Sequence, residues 1–359
     1  MKPMHPKRST ARRGAFAFAV AALGPVMGLV AALAPLGVTA AHAAPVRACL
    51  ITKTDSNPYF VTMRKGALAE ARKLGVDLKT YAGKYDGDNQ SQVAAIESCI
   101  AEGAKGILIT PSDTKAIVPT VEKARKAGLL VIALDTALNP VGAADMTFAT
   151  DNFEAGRLIG EWTAKHLGAK AKDAKIAMLD LAISHPTVDV ERDHGFLAGL
   201  GDKIANPSVF NVPDPRIVGH VETGGSESGG QKGMEALLAR NPNINLVYAI
   251  NEPAAFGAYQ ALKSVGKAGQ VTIVAIDGSC AAMPGVKSGI IAADSQQYPL
   301  RMASLGVKAI AVFAKTGKKP QASAGKDFYN TGVNLITAHP VAGVASISPA
   351  QGAKLCWGN

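Results

Sequence analysis

From Val46 onward the chain alternates short apolar runs with stretches of helical periodicity, and it has room to do so twice. The runs are Val46–Ile51, Asp77–Tyr81, Gly106–Thr110 and Leu130–Leu134, then Lys175–Leu181, Ser208–Val212, Leu246–Ile250 and Val271–Ile276. A strand buried on both faces reads as a continuous apolar run, and a parallel neighbour demands a crossover, usually helical. The spacing offers crossovers at Pro58–Leu74, Gln90–Ala101, Ile117–Ala127, Phe153–Leu167, Ser228–Arg240, Ala254–Val265 and Pro299–Ala314. In the first, Phe60, Met63, Ala67, Ala71 and Leu74 follow helical spacing. Pro58 suits its first turn, where a missing N–H has no partner to lose.

Two rounds of this pattern predict an α/β chain with two doubly wound parallel-sheet lobes and a ligand cleft between them. The joint falls near Thr147–Asp151. Helix Pro299–Ala314 and the run Val333–Ile336 come late, so the chain is expected to return to the first lobe and cross back. The expected division is a leader over 1–43, an N-terminal lobe of 44–149 plus 298–331, and a C-terminal lobe of 150–297 plus 332–359.

The leader reads as a secretion signal. Lys2, Lys7, Arg8, Arg12 and Arg13 precede an uncharged apolar and small-residue run, Ala15–Ala40, and Ala41-His42-Ala43 is a small-x-small cleavage site. Gly24, Pro25, Gly28, Pro35 and Gly37 weaken a continuous spanning helix, so removal near Ala43 is expected. Arg12-Arg13 hints at twin-arginine export, but Phe16 falls one place too late for the usual spacing, which favours the general route. Half of the formal +10 charge lies in this leader, leaving about +5 on the mature chain. With no basic run longer than Lys318-Lys319, that balance argues against nucleic acid as a partner.

In open α/β sheets ligands bind beyond the carboxyl ends of the strands. The first strand runs into Lys53-Thr54-Asp55-Ser56-Asn57-Pro58-Tyr59-Phe60 and the fourth ends at Asp135. A loop follows the fifth and leads to Arg192; later strands end at Asn251 and Asp277, and Gln296-Gln297 follows Ile290–Asp294. Carboxylates, amides, a guanidinium and an aromatic pair are what a sugar ring requires, with acceptors and donors for its hydroxyls and a flat face for its C–H surface. Each has a plainer reading as well. Asn57 suits a helix cap, Tyr59 and Phe60 suit core aromatics, Asp277-Gly278 suits a turn, and Glu191-Arg192-Asp193 suits a solvated helix surface. Their recurrence at successive strand ends favours a site.

At these residues the chain resembles the type I periplasmic sugar-binding proteins of ABC importers, the ribose-binding-like group. The resemblance spans Val46 to about Ile336. It implies ligand-binding roles for Asn57, Tyr59 and Phe60 in NPYF, Asp135 in LDTA, Arg192 in ERDHGF, Asn251 in AINEP, Asp277 in IDGS and Gln297 in SQQYP. The combination ITKTDSNPYF, AINEPAAFGAY and DSQQYPLRMA looks more like the fructose-binding branch than the ribose branch. Three departures bear on the sugar. Thr136 stands where ribose binders usually carry Arg, Gly225 falls about where they carry a second-lobe aromatic, and Lys53 replaces a small polar residue and is expected to reach a hydroxyl. The resemblance implies a periplasmic monomer that binds a monosaccharide (fructose first, then ribose or mannose) and delivers it to a membrane permease by hinge closure. A chemoreceptor is a further implied partner.

Other readings are weaker. Gly225–Lys232 lacks the Lys placement of a phosphate loop and reads as the flexible entry to a helix. His185, His194, His220 and His339 are scattered and read as loop histidines, so neither metal nor cofactor is expected. Two carboxylates alone do not make a glycosidase, so no enzyme is expected, although an exported sugar-acting enzyme remains the alternative. A sugar-responsive repressor would need a DNA-binding segment where the leader stands. Four cysteines in an oxidising compartment suggest disulfides, with three connectivities open. Val46–Cys49 is a poor lipoprotein signal end, since Arg47 fits badly. Cys49 in the first strand and Cys99 near a helix end are both expected at the lobe's end away from the cleft, which favours Cys49–Cys99 and, by elimination, Cys280–Cys356.

Overall fold

A computed structural model describes residues 44–358, so the leader and its cleavage site lie outside the described residues. The chain opens with β1 (Val46–Thr52), α1 (Pro58–Leu74), β2 (Val76–Ala82), α2 (Asn89–Ala101), β3 (Gly106–Ile109), α3 (Val118–Lys126), β4 (Leu130–Leu134) and β5 (Met146–Ala149). A second round follows: α4 (Asn152–Leu167), β6 (Ile176–Asp180), α5 (Thr187–Gly199), β7 (Ile217–Glu222), α6 (Glu227–Arg240), β8 (Leu246–Ala249), α7 (Glu252–Ser264), β9 (Thr272–Asp277), α8 (Met283–Ser288) and β10 (Ala293–Gln296). It ends with α9 (Pro299–Thr316), β11 (Tyr329–Asn330), β12 (Asn334–Thr337) and α10 (Pro349–Gly352).

Two six-stranded sheets result, ordered β2-β1-β3-β4-β5-β11 and β7-β6-β8-β9-β10-β12. All neighbours are parallel except β12, which runs antiparallel to β10. The two sheets repeat one doubly wound order, so each has a switch point beside its first strand, between β1 and β3 and between β6 and β8. The central strands are buried along nearly their whole length, which is why they read as apolar runs. The chain passes from the first sheet to the second after β5, returns after β10, and crosses again between β11 and β12. Helix α9 packs on α1 in the first lobe, joining Met302, Ala303, Val307 and Ile310 to its core.

One expected strand is wrong. Ser208–Val212 is irregular, and the strand paired with β6 is Ile217–Glu222. Pro207, Pro213 and Pro215 flank the apolar run and cannot donate to a ladder. Val209 is 48% exposed, and Phe210 stacks on His185 with ring centroids 3.8 Å apart instead of entering the sheet. The true strand hid because Gly219 and His220 interrupt its apolar pattern, as an edge position with one neighbour allows.

Both cysteine pairs form, Cys49–Cys99 with Cα atoms 6.3 Å apart and Cys280–Cys356 at 4.9 Å. The expected placement of the first needs correcting. Cys49 is the fourth residue of β1, so its bridge lies within the apolar layer between sheet and α2, among Ile51, Ile96 and Ile107, and not at the far end of the lobe. In the chain-entropy account, closing a loop with a separation of 50 residues contributes roughly 4 kcal/mol. The double replacement Cys49→Ala, Cys99→Ala should therefore lower unfolding free energy by about that amount, read as a drop in the urea midpoint with a steeper slope, because the freed unfolded chain exposes more surface.

Candidate functional site

The two rows of strand ends face each other. Lys53, Asn57, Tyr59, Phe60 and Asp135 from one side, and Arg192, Asn251, Asp277 and Gln297 from the other, line a single cavity. The structure thus brings all nine sequence-derived candidates together. Three further residues complete the wall: Asp86, Leu181 and Val188. Strand-end logic would have found Asp86, which follows β2, and Leu181, which directly follows β6. Val188 lies one helical turn before Arg192 on α5.

Local folding explains how each side chain arrives. Asn57 does cap α1, its Oδ1 accepting the Tyr59 N–H at 2.9 Å, while its Nδ2 points across to the Gly225 carbonyl at 3.4 Å. Asn251 repeats the arrangement on α7, accepting from Ala254 N–H at 3.0 Å and donating to the same carbonyl at 3.0 Å. The capping reading of Asn57 is therefore met by its amide oxygen, while in both residues the amide nitrogen faces the cleft. Asp135 sits at φ 65°, a left-handed conformation that costs energy for a residue with a Cβ and concentrates at functional sites. Neighbours hold it there: its N–H donates to Phe148 O at 2.9 Å, and Asn152 Nδ2 donates to its carbonyl at 3.0 Å.

For Arg192 it is the plainer reading, a solvated helix surface, that fails. It is neither on a loop nor solvated: it lies on α5, buried, with Nε donating to Asn152 Oδ1 at 2.9 Å and an Nη to Ile250 O at 3.0 Å. Its depth follows from glycines. A Cβ on Gly156 of α4 would lie 2.1 Å from the Arg192 carbonyl, and one on Gly195 of α5 would lie 2.0 Å from Phe153 O. The two backbones touch, and α5 is pressed far enough inward for its guanidinium to reach the cleft.

Contacts within and across the cleft are polar, and one that crosses is an ion pair. Arg192 lies 3.7 Å from Asp135, and Gln297 Nε2 donates to Asp277 Oδ1 at 2.8 Å. The Tyr59 hydroxyl lies 3.0 Å from Asp135 Oδ1 and 3.1 Å from Gln297 Oε1, and its one proton serves either. Tyr59 also meets Phe60 and Trp357 edge-on, with centroids 5.4 and 5.2 Å away. Trp357 was not foreseen; its Nε1 donates to the Asp277 carbonyl at 2.9 Å, tying the C-terminal tail to the second-lobe side of the site. The cavity measures about 30 Å³, close to the space of a few water molecules, so a larger guest enters only if the lobes part. A groove of about 760 Å³ runs along the crossing segments beside Asp151, Phe153, Glu191 and Lys326, but it gathers none of the nine residues.

Behind the cleft wall the acids are crowded. Glu252 accepts the Ser279 N–H at 2.9 Å and Asp294 accepts the Gly278 N–H at 3.1 Å, both close to Asp277. Burial raises Glu252 well above the usual carboxylate range and carries Asp294 to about 6. Burial likewise lifts Asp277 to about 7, although Arg192 and the Gln297 amide pull it down. Burial takes Asp86 to about 6 against the pull of Lys53.

Of the four histidines expected in loops, His194 lies on α5 and His220 on β7, while His185 and His339 are in loops. The Gly225–Lys232 segment makes a turn, with Gly225 at φ 60° and Ser226 capping α6 by accepting the Gly229 N–H. Among the described residues no helix is long and apolar enough to cross a membrane.

Two doubly wound lobes with a polar cleft at facing strand ends define a binding protein of the type I architecture. Residues 48–319 match the model of the periplasmic binding protein domain, and the chain belongs to that family, as a type I sugar-binding member. It is 30% identical to the D-ribose/D-allose-binding protein of Pseudomonas aeruginosa over 305 residues, covering 81% of this chain and 89% of that one. It is 31% identical to the ribose import binding protein RbsB of Salmonella typhimurium over 297 residues, covering 82% and 93%. Among solved structures it is similar to an ABC transporter periplasmic solute binding protein from Actinobacillus succinogenes with bound D-allose. That likeness has TM-score 0.69 and 25% identity, covering 86% of this chain and 99% of that chain.

The buried acids set a pH dependence with a definite sign. Between an unfolded pKa near 4 and native values of about 6 to 7, the folded chain holds protons that the unfolded chain has lost. Stability therefore falls as pH rises through that window. Asp294→Asn removes one of these titrations, so its urea midpoint should decline less steeply than that of the unsubstituted protein between about pH 4 and 6.

Proposed function

We propose that the protein captures a free monosaccharide in the periplasm and presents it, lobes closed, to the permease of an ABC transporter. The observation that carries this reading is the convergence of nine polar and aromatic side chains from both sheets on one cavity. In it Asp135 and Asp277 accept from ring hydroxyls, Asn57, Asn251 and Gln297 donate and accept, and Arg192 and Lys53 donate. Tyr59 and Phe60 offer the ring its apolar face. The reading is one of binding and release, not turnover; detectable consumption of a bound sugar would move it to an enzyme.

The moving bodies are 44–149 plus 298–331 and 150–297 plus 332–359, turning on the three crossing segments. Asn152 stands at the first of these and contacts both Asp135 and Arg192, so it links hinge to site. Ligand shifts the open–closed balance only through contacts that are stronger when closed, and the second-lobe groups supply them. X-ray scattering in solution should show a smaller radius of gyration with saturating sugar than without; identical profiles would refute hinge closure. Export by the 1–43 leader places the protein as a periplasmic monomer, and a chemoreceptor is a compatible second partner for the closed form.

For the sugar itself we favour fructose, with ribose and mannose next. Relatives named for ribose and allose support a monosaccharide. Thr136, in place of the arginine usual in ribose binders, argues for a different ring; here its hydroxyl donates to Asp135 Oδ2 at 2.8 Å. On the second-lobe side Gly225 brings no aromatic ring, its carbonyl accepts from Asn251 Nδ2 at 3.0 Å, and the apolar lining comes from Leu181 and Val188. Calorimetry with a panel of pentoses and hexoses should give one preferred monosaccharide, and binding of amino acids alone would reject the class. Asp277→Ala should weaken that binding by ~3 kcal/mol, because it strands the Gln297 amide as well as removing ligand contacts.

A further inference from the structure

Directly behind the second-lobe wall of the cleft, three side chains from three elements converge. Asp180 ends β6, Asp193 lies on α5 and His220 on β7. One ligand atom from each lies within 4.8 Å of the others, and Asp180 Oδ2 is 2.9 Å from His220 Nδ1. Neither oxygen of Asp193 makes a hydrogen bond of full geometry, although the residue is only 1% exposed and the Tyr248 hydroxyl and Asp180 lie beside it; Oδ1 of the fully buried Asp180 lacks such a bond as well. Asp189, also fully buried, leaves its Oδ2 unmatched while its Oδ1 accepts the Leu181 N–H at 2.9 Å. Among the described residues, ion pairs to these three carboxylates come from His185 and His220 alone. Buried carboxylates without donors are costly, and several kept together either take up protons or are joined by a positive centre.

We propose that Asp180, Asp193 and His220 bind a divalent first-row transition-metal ion of the zinc class. Two carboxylate oxygens and an imidazole nitrogen form a donor set that such an ion accepts, whereas magnesium and calcium favour oxygen alone. Asp189 and the buried Tyr248 hydroxyl, which adjoins Asp193, make the surrounding polar shell. The His220 side chain is 20% exposed, which gives an ion a way in from the sheet edge. Single-residue reading had set the histidines aside as scattered; the donors gather only when β6, α5 and β7 come together. The site is separate from the sugar cleft but shares its wall, since Asp180 precedes Leu181, Asp189 follows Val188 and Asp193 follows Arg192. A bound ion would tie together the three elements behind those cleft residues.

The test uses untagged protein stripped with a chelator, loaded with Zn²⁺ and desalted. The readouts are metal content by mass spectrometry and the thermal midpoint, both taken without sugar. The expected result is one equivalent of zinc retained per chain with a raised midpoint, and loss of both in His220→Gln and in Asp193→Asn. Calcium or magnesium offered alone should not be retained. If Asp193→Asn fails to fold, as circular dichroism would show, His220→Gln on its edge strand decides alone. A control variant, His166→Gln with His339→Gln, covers another place for zinc to settle, since those rings lie 6.4 Å apart. No retention by the unsubstituted protein, retention unchanged in His220→Gln, or loss in the control variant alone would each overturn the proposal.

Discussion

The site depends on one buried guanidinium. Arg192 is anchored by Asn152 Oδ1 and the Ile250 carbonyl, and from there it faces Asp135 across the cleft. It also moderates the burial-driven rise of Asp277. Taking such a charge out of water is tolerable only with several fixed acceptors, and these come from the crossing segment, from the end of β8 and from the opposite lobe. That requirement explains the glycines at the α4–α5 contact, because the arginine reaches its acceptors only if the two helices touch backbone to backbone. A close backbone contact between α4 and α5 thus sets where this guanidinium stands in the cleft.

The fold was legible because both sheets bury their central strands on two faces and alternate them with amphipathic helices. The site was legible because doubly wound sheets place polar groups at strand ends, and Lys53, Asp135, Asn251, Asp277 and Gln297 stand at such ends. What escaped had definite physical causes. The edge strand Ile217–Glu222 has one neighbour and tolerates Gly219 and His220, so it carries no apolar run. Arg192 was placed in the site by the family resemblance, yet its burial escaped, since a helical Glu-Arg-Asp gives no sign of which face is buried. Trp357 lies 80 residues beyond the Asp277 carbonyl that it meets, and no periodicity links them.

The tail shows how a late segment contributes to an early site. The Cys280–Cys356 bridge fixes the residue before Trp357 to the loop after Asp277. The indole then touches both sides at once, its N–H on the Asp277 carbonyl and its ring against Tyr59 in the first-lobe core. A contact of this kind constrains how far the lobes can part on that edge. Asn57 and Ser226 line the same groove as Trp357, so the weak contact of Asn57 with the Gly225 carbonyl at 3.4 Å belongs to this edge as well.

The closed cleft is not held by apolar contact alone. Tyr59 shares its proton between acceptors from the two lobes, and Asp135 faces Arg192 at a distance longer than a direct hydrogen bond. A ring hydroxyl inserted there would exchange these imperfect contacts for shorter ones, so the gain on binding is a difference between two charged networks. The net worth of each exchange is modest, about 0.5–1.5 kcal/mol for a neutral bond and more for a charged one. Specificity must then come from what a wrong sugar leaves unmet. A ligand whose hydroxyl pattern misses Asp277 leaves a buried carboxyl, already raised to about 7, to protonate or stay unpaired. On the proposed reading, the crowding of acids behind the wall would sharpen the choice of ligand, because a cleft that cannot easily solvate its own polar groups would penalise a sugar that fails to satisfy them.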